Sequence, residues 1–279
     1  MPTRRTFLSG FLTAAAIPTA GWSEAGNPVA LSAGRDEAGH LLLLGLSASG
    51  LVAFSVVLPA RGHAAAAHPF VAEAVAVARR PGTFALVLDC ATGTVRQELH
   101  APENRHFYGH ASFSKDGRLL FTTENDIQTG DGRIGVWERS SGYRRKGEFA
   151  SGGIGPHEII TLPAGSLAVA NSGIRTHPAT GREKLNLDTM APALAIFSPN
   201  GRIQDVAAPP ADEHLNSLRH ISAAPDGSVI CGFQWQGDPF EAPSLASLYR
   251  GNGELESLHM DPMHLRRLDG YIGSVSAFG

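Results

Sequence analysis

Four histidines stand at equivalent places in a repeated sequence pattern. His63, His110, His157 and His220 each come just ahead of a short apolar segment that is typical of a β-strand. The intervals between them are 47, 47 and 63 residues. Imidazoles are ligands for transition-metal ions and for haem iron, so four of them in one place would form a metal or haem site. Whether they meet depends on the elements that position them.

The segments that follow the histidines are typical of β-hairpins. In "GHASFSKDGRLLFTTEN" (109–125), Phe113 and the run 119–121 are the apolar parts of two strands, and Lys115-Asp116-Gly117 is the turn. Pro225-Asp226-Gly227 is the same turn after His220. Two further short strands follow in each unit, such as "IGVWER" and "YRRKGEFA". Units of about 40–50 residues with several short strands indicate an all-β protein, a β-propeller of four-stranded blades.

A propeller would bring the histidines together by its architecture alone. The innermost strand of each blade lines a central channel, so a residue just before that strand lies at the channel rim. The loops after the second strands would reach the same face and supply polar groups as secondary candidates. These candidates are Arg79, Arg80, Glu124, Asn125, Asp126, Asn171, His177 and Gln234.

A histidine at the rim also has a structural explanation, because it can hydrogen-bond a neighbouring blade. Structural roles repeat from blade to blade as faithfully as functional ones, so both interpretations stay open. The remaining histidines, including His68 and His106, fit no ring and are assigned to the surface or to loops. HExxH, GxSxG, Walker and CxxCH patterns are absent from the sequence, and "GDGRIG" (130–135) opens a strand and not a helix. No local motif therefore supports an enzyme.

Composition is typical of a soluble globular domain. The chain has 279 residues, a net charge of −3 and 43% apolar residues. This charge balance does not indicate the basic surface that nucleic-acid binding requires. Cys90 and Cys231 lie in apolar strands of different repeats, and we interpret them as buried thiols rather than a disulfide.

The N-terminus differs in kind from the rest. "PTRRTFLSGFLTAAAIPTAGWSEAG" resembles a twin-arginine export signal, with Arg4 and Arg5 as its arginine pair. The apolar run from Phe7 to Ala20 is too short to span a bilayer, so the mature protein is expected to have no transmembrane segment. Cleavage after Ala20 and after Ala25 are both compatible with the pattern. The sequence therefore predicts an export signal over 1–25, a propeller over 29–279 and a periplasmic location.

The chain ends on "GYIGSVSAFG", which matches the beginning of another repeat. Repeats start near residues 29, 63, 110, 157, 220 and 271, so about five blades are expected. Five is near the low end for a ring, and a propeller must close to remove its sheet edges. We expect a domain truncated at the C-terminus from a six- or seven-bladed ring, with five-bladed closure as the alternative.

Several phrases of the sequence resemble one family. They are the export signal, "AGNPVALSAGRD", "RGHAAAAHPFVAEAVAVARRPGTFALVLD", "GHASFSKDGRLLFTTEND", "GIGPHEI", "KLNLDTM" and "GYIGSV". Over essentially 1–279 they are similar to an uncharacterised family of exported bacterial proteins, the domain of unknown function 1513. The resemblance implies a propeller of the YVTN and quinoprotein-dehydrogenase type, with members that are longer at the C-terminus. It also implies a role in iron acquisition beside imelysin-like, iron-regulated periplasmic proteins and a di-haem oxidoreductase-like protein. It assigns no catalytic residues.

The function expected from the sequence is a periplasmic, non-enzymatic β-propeller that binds a metal, haem, another ligand or a partner protein in iron acquisition. The four histidines would form its site. The alternative is a lactonase-like or quinoprotein-like enzyme at the same channel mouth. A carboxylate or arginine that converges with the histidines beside a deep pocket would favour that enzyme. Pure protein–protein scaffolding is a third reading.

Overall fold

The computed structural model describes residues 21–78, 83–181 and 183–277. Within these ranges the chain forms five antiparallel sheets, the first with three strands and the others with four. The first sheet contains β1 (Ala30–Arg35), β2 (Leu41–Leu46) and β3 (Val52–Leu58). The second contains β4 (Gly62–Ala67), β5 (Glu73–Ala78), β6 (Phe84–Asp89) and β7 (Thr94–His100).

The other three sheets follow in chain order. The third contains β8 (Arg105–Phe113), β9 (Leu119–Asp126), β10 (Asp131–Glu138) and β11 (Arg144–Ile154). The fourth contains β12 (Pro156–Thr161), β13 (Leu167–Asn171), β14 (Ala193–Phe197) and β15 (Ile203–Ala207). The fifth contains β16 (Asn216–Ala223), β17 (Val229–Trp235), β18 (Ala246–Tyr249) and β19 (Leu255–Ser257).

Helix is scarce in the described part of the chain. The α-helix α1 spans Pro262–Arg267. The single-turn 3-10 helices span Ser23–Ala25, Arg139–Ser141, Pro178–Thr180, Leu187–Thr189, Ala211–Glu213 and Pro239–Glu241. Across the described residues, no helix has the length and apolar character needed to cross a bilayer.

Each sheet is a meander in which consecutive strands pair. The turn between β8 and β9 has Gly117 at φ +71°, and the turn between β16 and β17 has Gly227 at φ +88°. Both glycines donate their backbone N–H to the residue three positions earlier. The predicted hairpins, and the third and fourth strands that follow them, are confirmed.

The sheets stack face to face because the second, third and fourth sheets each have two apolar faces. In β5, Ala74 and Ala76 pack in a core cluster with the first sheet, whereas Val75 and Val77 pack in a cluster with the third. Alternate residues of one strand thus cover two different neighbours. Phe121 and Phe197 join the third and fourth sheets in the same way, and a further cluster joins the fourth and fifth. Middle strands such as β5 and β13 are therefore buried along their whole length.

The first strands of successive sheets lie beside one another. β1 contacts β4, β4 contacts β8, β8 contacts β12 and β12 contacts β16. The last strands of the four-stranded sheets, such as β7 and β19, are mostly exposed. An all-β arrangement of stacked meanders with first strands inside and last strands outside is propeller-like. This coarse form of the predicted fold is confirmed.

The segment before β1 is part of the packed structure. The Trp22 side chain is fully buried in the cluster between the first two sheets, and its indole N–H donates to the His68 carbonyl at 3.0 Å. Ala25 is buried in the same cluster. Residues 21–25 thus pack with the sheets, which differs from the sequence-based placement of 1–25 outside them. The reason is the large apolar indole, which the export-signal pattern does not take into account.

The segment after α1 packs on the fifth sheet. Tyr271 forms an antiparallel bridge with Gln234, and the Ile272 N–H donates to the Phe233 carbonyl at 3.0 Å. The Ala277 N–H donates to the Ser222 hydroxyl at 3.1 Å. Its described hydrogen bonds therefore join residues 271–277 to β16 and β17.

Both cysteines are buried free thiols, as predicted: Cys90 directly follows β6, and Cys231 lies in β17. Burial, followed by the negative charge of Asp89, raises the pKa of Cys90 to about 12. Burial also raises the pKa of Cys231. Thiols with raised pKa values are poorly reactive, which fits their place in the core.

A buried carboxylate links the second and third sheets. Glu73 of β5 accepts hydrogen bonds from Arg139 Nε at 2.8 Å, from Arg96 Nη1 at 3.2 Å and from the Tyr143 hydroxyl. Burial raises the pKa of Glu73, but the hydrogen bonds from Arg139 and Tyr143 and the charge of Arg139 outweigh burial and hold that pKa below its ordinary value of 4.5. The charged form of Glu73 therefore stabilises the contact between these sheets.

Glu73→Gln is expected to lower the free energy of unfolding at pH 7 by about 2–4 kcal/mol, because a buried charge network loses its carboxylate. The folded-state pKa of Glu73 lies below its unfolded value, so its contribution is fully present above the unfolded pKa and is lost as pH falls through the folded pKa. The difference between wild type and variant should therefore shrink at acid pH. Urea unfolding between pH 7 and pH 3 measures it, with exposed Glu103→Gln as the control. A pH-independent difference would contradict this assignment.

Candidate functional site

The four histidines form one group of rings, here called the histidine cluster: His63, His110, His157 and His220. Neighbouring ring centroids are 5.0 Å apart for His63 and His110, 5.2 Å for His110 and His157, and 5.0 Å for His157 and His220. Across the cluster, His63 and His157 are 5.7 Å apart, and His110 and His220 are 6.2 Å apart. Each ring comes from the first strand of a different sheet, so the contacts between first strands create the cluster.

The histidines lie within their strands and not ahead of them. His63 and His157 are the second residues of β4 and β12, whereas His110 and His220 lie well inside β8 and β16. The expected position at an open rim is wrong for three of them, since His110, His157 and His220 are only 4%, 8% and 6% exposed. Residues before them, such as buried Phe107, extend the strand and carry the histidine inward. His63 is partly exposed.

Every histidine of the cluster lies at a break in strand register. The pairing of β4 with β5 shifts between Gly62 and Ala64, and that of β12 with β13 shifts between Pro156 and Glu158. The pairing of β8 shifts between 107 and 111, and that of β16 between 218 and 220. β-bulges change the direction of side chains and are enriched at functional sites. Four bulges at equivalent places aim four imidazoles at one point.

Gly109 is required by this geometry. Its φ is +113°, a conformation that residues with a Cβ rarely adopt, and a Cβ there would overlap the His63 ring. The backbone before His110 thus passes directly beside His63. Glycine permits both the bulge and the contact.

Glu158 is a functional candidate that sequence reasoning missed. Its Oε2 lies 3.2 Å from His220 Nδ1 and accepts the Ile221 N–H at 2.9 Å, and its Oε1 lies 3.5 Å from His110 Nδ1. Strict strand alternation would send His157 and Glu158 to opposite faces. The bulge at His157 removes that alternation, so one buried carboxylate reaches two imidazoles. The adjacent "HE" pair was the available signal.

The hydrogen bonds assign the protons of the rings. His157 Nδ1 lies 2.9 Å from the Arg219 carbonyl oxygen, which can only accept, so Nδ1 carries the proton and Nε2 keeps its lone pair. A carboxylate can only accept, so His220 Nδ1, 3.2 Å from Glu158 Oε2, donates to it, and His220 Nε2 lies 2.9 Å from the Tyr271 hydroxyl. The carboxylate beside His110 Nδ1 favours the same proton position there. His110 Nε2 is then a buried lone pair, and it has no hydrogen-bond partner among the described atoms.

Burial keeps His110 and His157 uncharged. It is the main cause that holds the pKa of His110 well below its ordinary value, assisted by the neighbouring His63 and His220. Burial also lowers the pKa of His157 strongly, followed by the charge of Arg219 and by the other histidines. Neutral imidazole is the form that coordinates a metal ion, so these rings are ready to act as ligands.

Three members of the cluster are close enough to share one ion. Their ligand atoms, one from each of His63, His110 and His157, all lie within 4.8 Å of one another. Two imidazole nitrogens on a tetrahedral zinc ion, at about 2.0–2.1 Å from it, are roughly 3.4 Å apart. Each nitrogen would thus move inward by less than about 1 Å. Rings in such close contact leave no room between them for a porphyrin, which weakens the haem interpretation.

Most of the secondary candidates have structural partners instead. Glu124, Asn125 and Asp126 were expected in a loop but lie in β9 and are buried. Glu124 accepts two hydrogen bonds from Arg145, at 2.7 and 2.8 Å, and Asp126 pairs with Arg105 at 2.7 Å. Because these ion pairs satisfy the buried carboxylates, the polar residues 124–126 can form part of a strand. Asn125 donates its side-chain N–H to the Asp126 carbonyl at 3.3 Å.

The other candidates divide into three groups. Asn171 ends β13 and exchanges hydrogen bonds with Ser151, and the His177 ring accepts the Ala179 N–H at the start of a 3-10 helix. Gln234, in β17, accepts from Arg219 at 2.9 Å and so reaches the cluster through that residue. The candidates Arg79 and Arg80, and the signal residues Arg4 and Arg5, lie outside the described residues.

Two histidines assigned to the surface or to loops are buried. His68 accepts the backbone N–H groups of residues 70 and 71 at Nδ1, and its Nε2 lies 3.1 Å from the Gly117 carbonyl. It therefore joins the second sheet to the turn of the third. His106 is also buried and stacks on Tyr108. The prediction was wrong for His106, which lies in β8, whereas His68 does lie in a loop, between β4 and β5. An isolated histidine gives no periodic signal of burial.

The fold and site together define a class: an all-β, propeller-like protein in which the first strands hold a buried cluster of histidines. The chain belongs to the family described as protein of unknown function (DUF1513), which matches residues 56–279. The predicted family is thus confirmed. No curated protein matches the chain.

The fold has a counterpart among solved structures. The structure of U3-55K is similar to this one with a TM-score of 0.57 and 11% sequence identity. The similarity covers 89% of this chain, which spans 64% of the length of that chain. At this level of identity the likeness concerns the fold alone, and it agrees with the propeller-like arrangement of the sheets.

Gly109→Ala is expected to disturb the cluster, whereas Gly227→Ala tests backbone strain alone. Both glycines have positive φ, but a Cβ at Gly227 meets no atom within 4 Å. Gly227→Ala should lower the free energy of unfolding by about 1–2 kcal/mol. Gly109→Ala should lower the free energy of unfolding by more than Gly227→Ala does, and it should shift the histidine ring signals in NMR spectra. Equal costs with unchanged ring signals would show that Gly109 does not position His63.

Proposed function

We propose that this protein binds one transition-metal ion between His63, His110 and His157, the three-histidine site. The observation that carries the proposal is the buried lone pair of His110 Nε2 at the centre of the cluster. A buried polar atom without a partner costs about 1–3 kcal/mol. A metal ion would satisfy it together with the two neighbouring imidazoles.

The surroundings of the site support this role. Imidazoles that bind metals usually donate their second ring nitrogen to a carboxylate or a backbone carbonyl, which fixes the ring and its tautomer. Glu158 occupies the carboxylate position beside His110, and the Arg219 carbonyl accepts from His157. The three ligands come from three different sheets, which hold them in place. Binding therefore requires little rearrangement.

Imidazole donors suit iron, zinc, copper and nickel alike. The choice of iron rests on the family resemblance, so we propose iron acquisition in the periplasm as the biological role. In this role the protein would bind or pass on an ion rather than act on an organic substrate.

An enzyme at the same cluster is the second candidate function. The observation that favours it is Glu158, a buried carboxylate that converges with His110 and His220. A carboxylate beside a metal ion could act as a base towards a metal-bound water molecule. The burial of His110, His157 and His220 favours a small substrate over a large one.

We also propose that the chain is exported by the twin-arginine route. The pattern at 3–8, "TRRTFL", supports this route. The burial of Trp22 supports cleavage after Ala20, since cleavage after Ala25 would remove a core residue.

The export proposal is tested by changing Arg4 and Arg5 together to lysine. The expected result is retention of the chain in the cytoplasm with its signal uncleaved, because the arginine pair is the defining feature of the pattern. Cell fractionation and N-terminal sequencing of the mature protein provide the measurement. Arg35→Lys is the control. Periplasmic delivery of the double variant at the wild-type level would refute this route.

The metal proposal is tested by titrating metal-stripped protein with Zn²⁺ in a calorimeter. One ion per chain is expected. His63→Ala should weaken binding by about 100-fold or more, since even groups that only orient metal ligands are worth about 10–100-fold. Because His63 is partly exposed, this variant is the one least expected to disturb folding. His110→Ala should act in the same direction.

The matched control is His177→Ala, which removes an imidazole from a loop. It should bind Zn²⁺ as the wild type does. Circular dichroism and thermal unfolding of each variant separate loss of ligand from loss of fold. Unchanged Zn²⁺ affinity in folded His63→Ala and His110→Ala would exclude the three-histidine site.

A further inference from the structure

We infer that Tyr271 holds His220 away from the metal ion, so that an ion on the three-histidine site keeps one coordination position open to a small exogenous ligand. This inference rests on the proposed metal site and specifies its type. Closed zinc sites have four protein ligands, whereas sites that bind water or substrate have three. Tyr271 would determine whether this protein has a closed site with four protein ligands or an open site with three.

His220 lies directly beside the three-histidine site. Its ring centroid is 5.0 Å from that of His157, as close as His63 is to His110. Nevertheless, the group of mutually close ligand atoms contains only His63, His110 and His157 among the described residues. His220 is left out by distance, since its ring centroid lies 6.2 Å from that of His110, farther than any pair within the three-histidine site.

Both nitrogens of His220 are occupied by other partners. Nδ1 lies 3.2 Å from Glu158 Oε2, and Nε2 lies 2.9 Å from the Tyr271 hydroxyl. Glu158 is itself fixed, because its Oε2 also accepts the Ile221 N–H. The ring is therefore held at both ends. To coordinate the ion through Nε2, His220 would have to give up the phenol.

Tyr271 is anchored firmly enough to hold the ring. Its backbone bridges Gln234, and the flanking hydrogen bonds run from Trp235 N to the Gly270 carbonyl at 2.8 Å and from Ile272 N to the Phe233 carbonyl at 3.0 Å. Burial is the main cause that raises the pKa of Tyr271. The phenol thus keeps its proton and is hydrogen-bonded to His220 Nε2, the ring atom through which His220 would bind an ion.

The open position has a defined chemical character. It would lie among the imidazoles of the cluster and near Glu158, which contacts His110 and His220, and His63 is the partly exposed member of the cluster. Its occupant would be a small Lewis base, either water or a small anion. Azide is a suitable probe, because it coordinates cobalt directly and changes its visible spectrum.

The test uses Co²⁺ bound to the full chain, read by visible absorption with and without azide. In the wild type, azide should shift the spectrum by binding at the open position. In Tyr271→Phe the released His220 should become the fourth ligand, so Co²⁺ should bind about tenfold more tightly and azide should no longer shift the spectrum. In Tyr271→Phe with His220→Ala, the azide response should return.

The control is Tyr249→Phe. The Tyr249 hydroxyl, in β18 of the fifth sheet, donates to Asp205 at 2.6 Å and, within the described part of the chain, does not contact the cluster. The Tyr249→Phe variant should retain the wild-type azide response. A wild-type spectrum that azide leaves unchanged, or a Tyr271→Phe spectrum that still responds, would overturn the inference while leaving the metal site intact. Absence of Co²⁺ binding, or binding that His63→Ala does not weaken, would overturn the proposed function and this inference together.

Discussion

The whole arrangement depends on one constraint: a small β-sheet with two apolar faces must cover both of them. Strand β5 meets this constraint by sending Ala74 and Ala76 to one neighbouring sheet and Val75 and Val77 to the other. The same alternation in later sheets turns a linear chain into a stack of meanders. Once the sheets stack, their first strands have to run side by side. The meeting of the histidines is a by-product of hydrophobic burial.

Stacking alone does not make a site, because regular strands would send neighbouring side chains to opposite faces. The breaks in register at the histidines supply what the regular sheet lacks. At His157 the break lets a histidine and the next residue, Glu158, serve the same cluster. Local departures from ideal strand geometry thus turn a packing interface into a site that can bind a ligand. Desolvation then keeps His110 and His157 in their neutral forms.

The repeat spacing was sufficient to predict the sheets, the hairpins and the common neighbourhood of the first strands. These features follow from periodic burial, which a sequence displays directly. Glu158 and Tyr271 could not be found in this way, because their roles depend on a bulge and on the path of the segment after α1. The run at Glu124, Asn125 and Asp126 was misread for a related reason. A run of polar residues indicates a loop unless distant partners, here Arg145 and Arg105, offset the cost of burying their charges.

The ligands of the three-histidine site are spread over 94 residues of sequence, with one on each of three sheets. A zinc finger, by contrast, takes its ligands from one short segment and can form around its ion early. Here no two of the three histidines belong to the same meander, so a partly folded chain has no site to offer. Sheet packing must offset the entropy cost of ordering the intervening chain before the three ligands come together and an ion can bind. Ion binding in this protein would therefore report on completed assembly of the sheets, and would contribute little to guiding it.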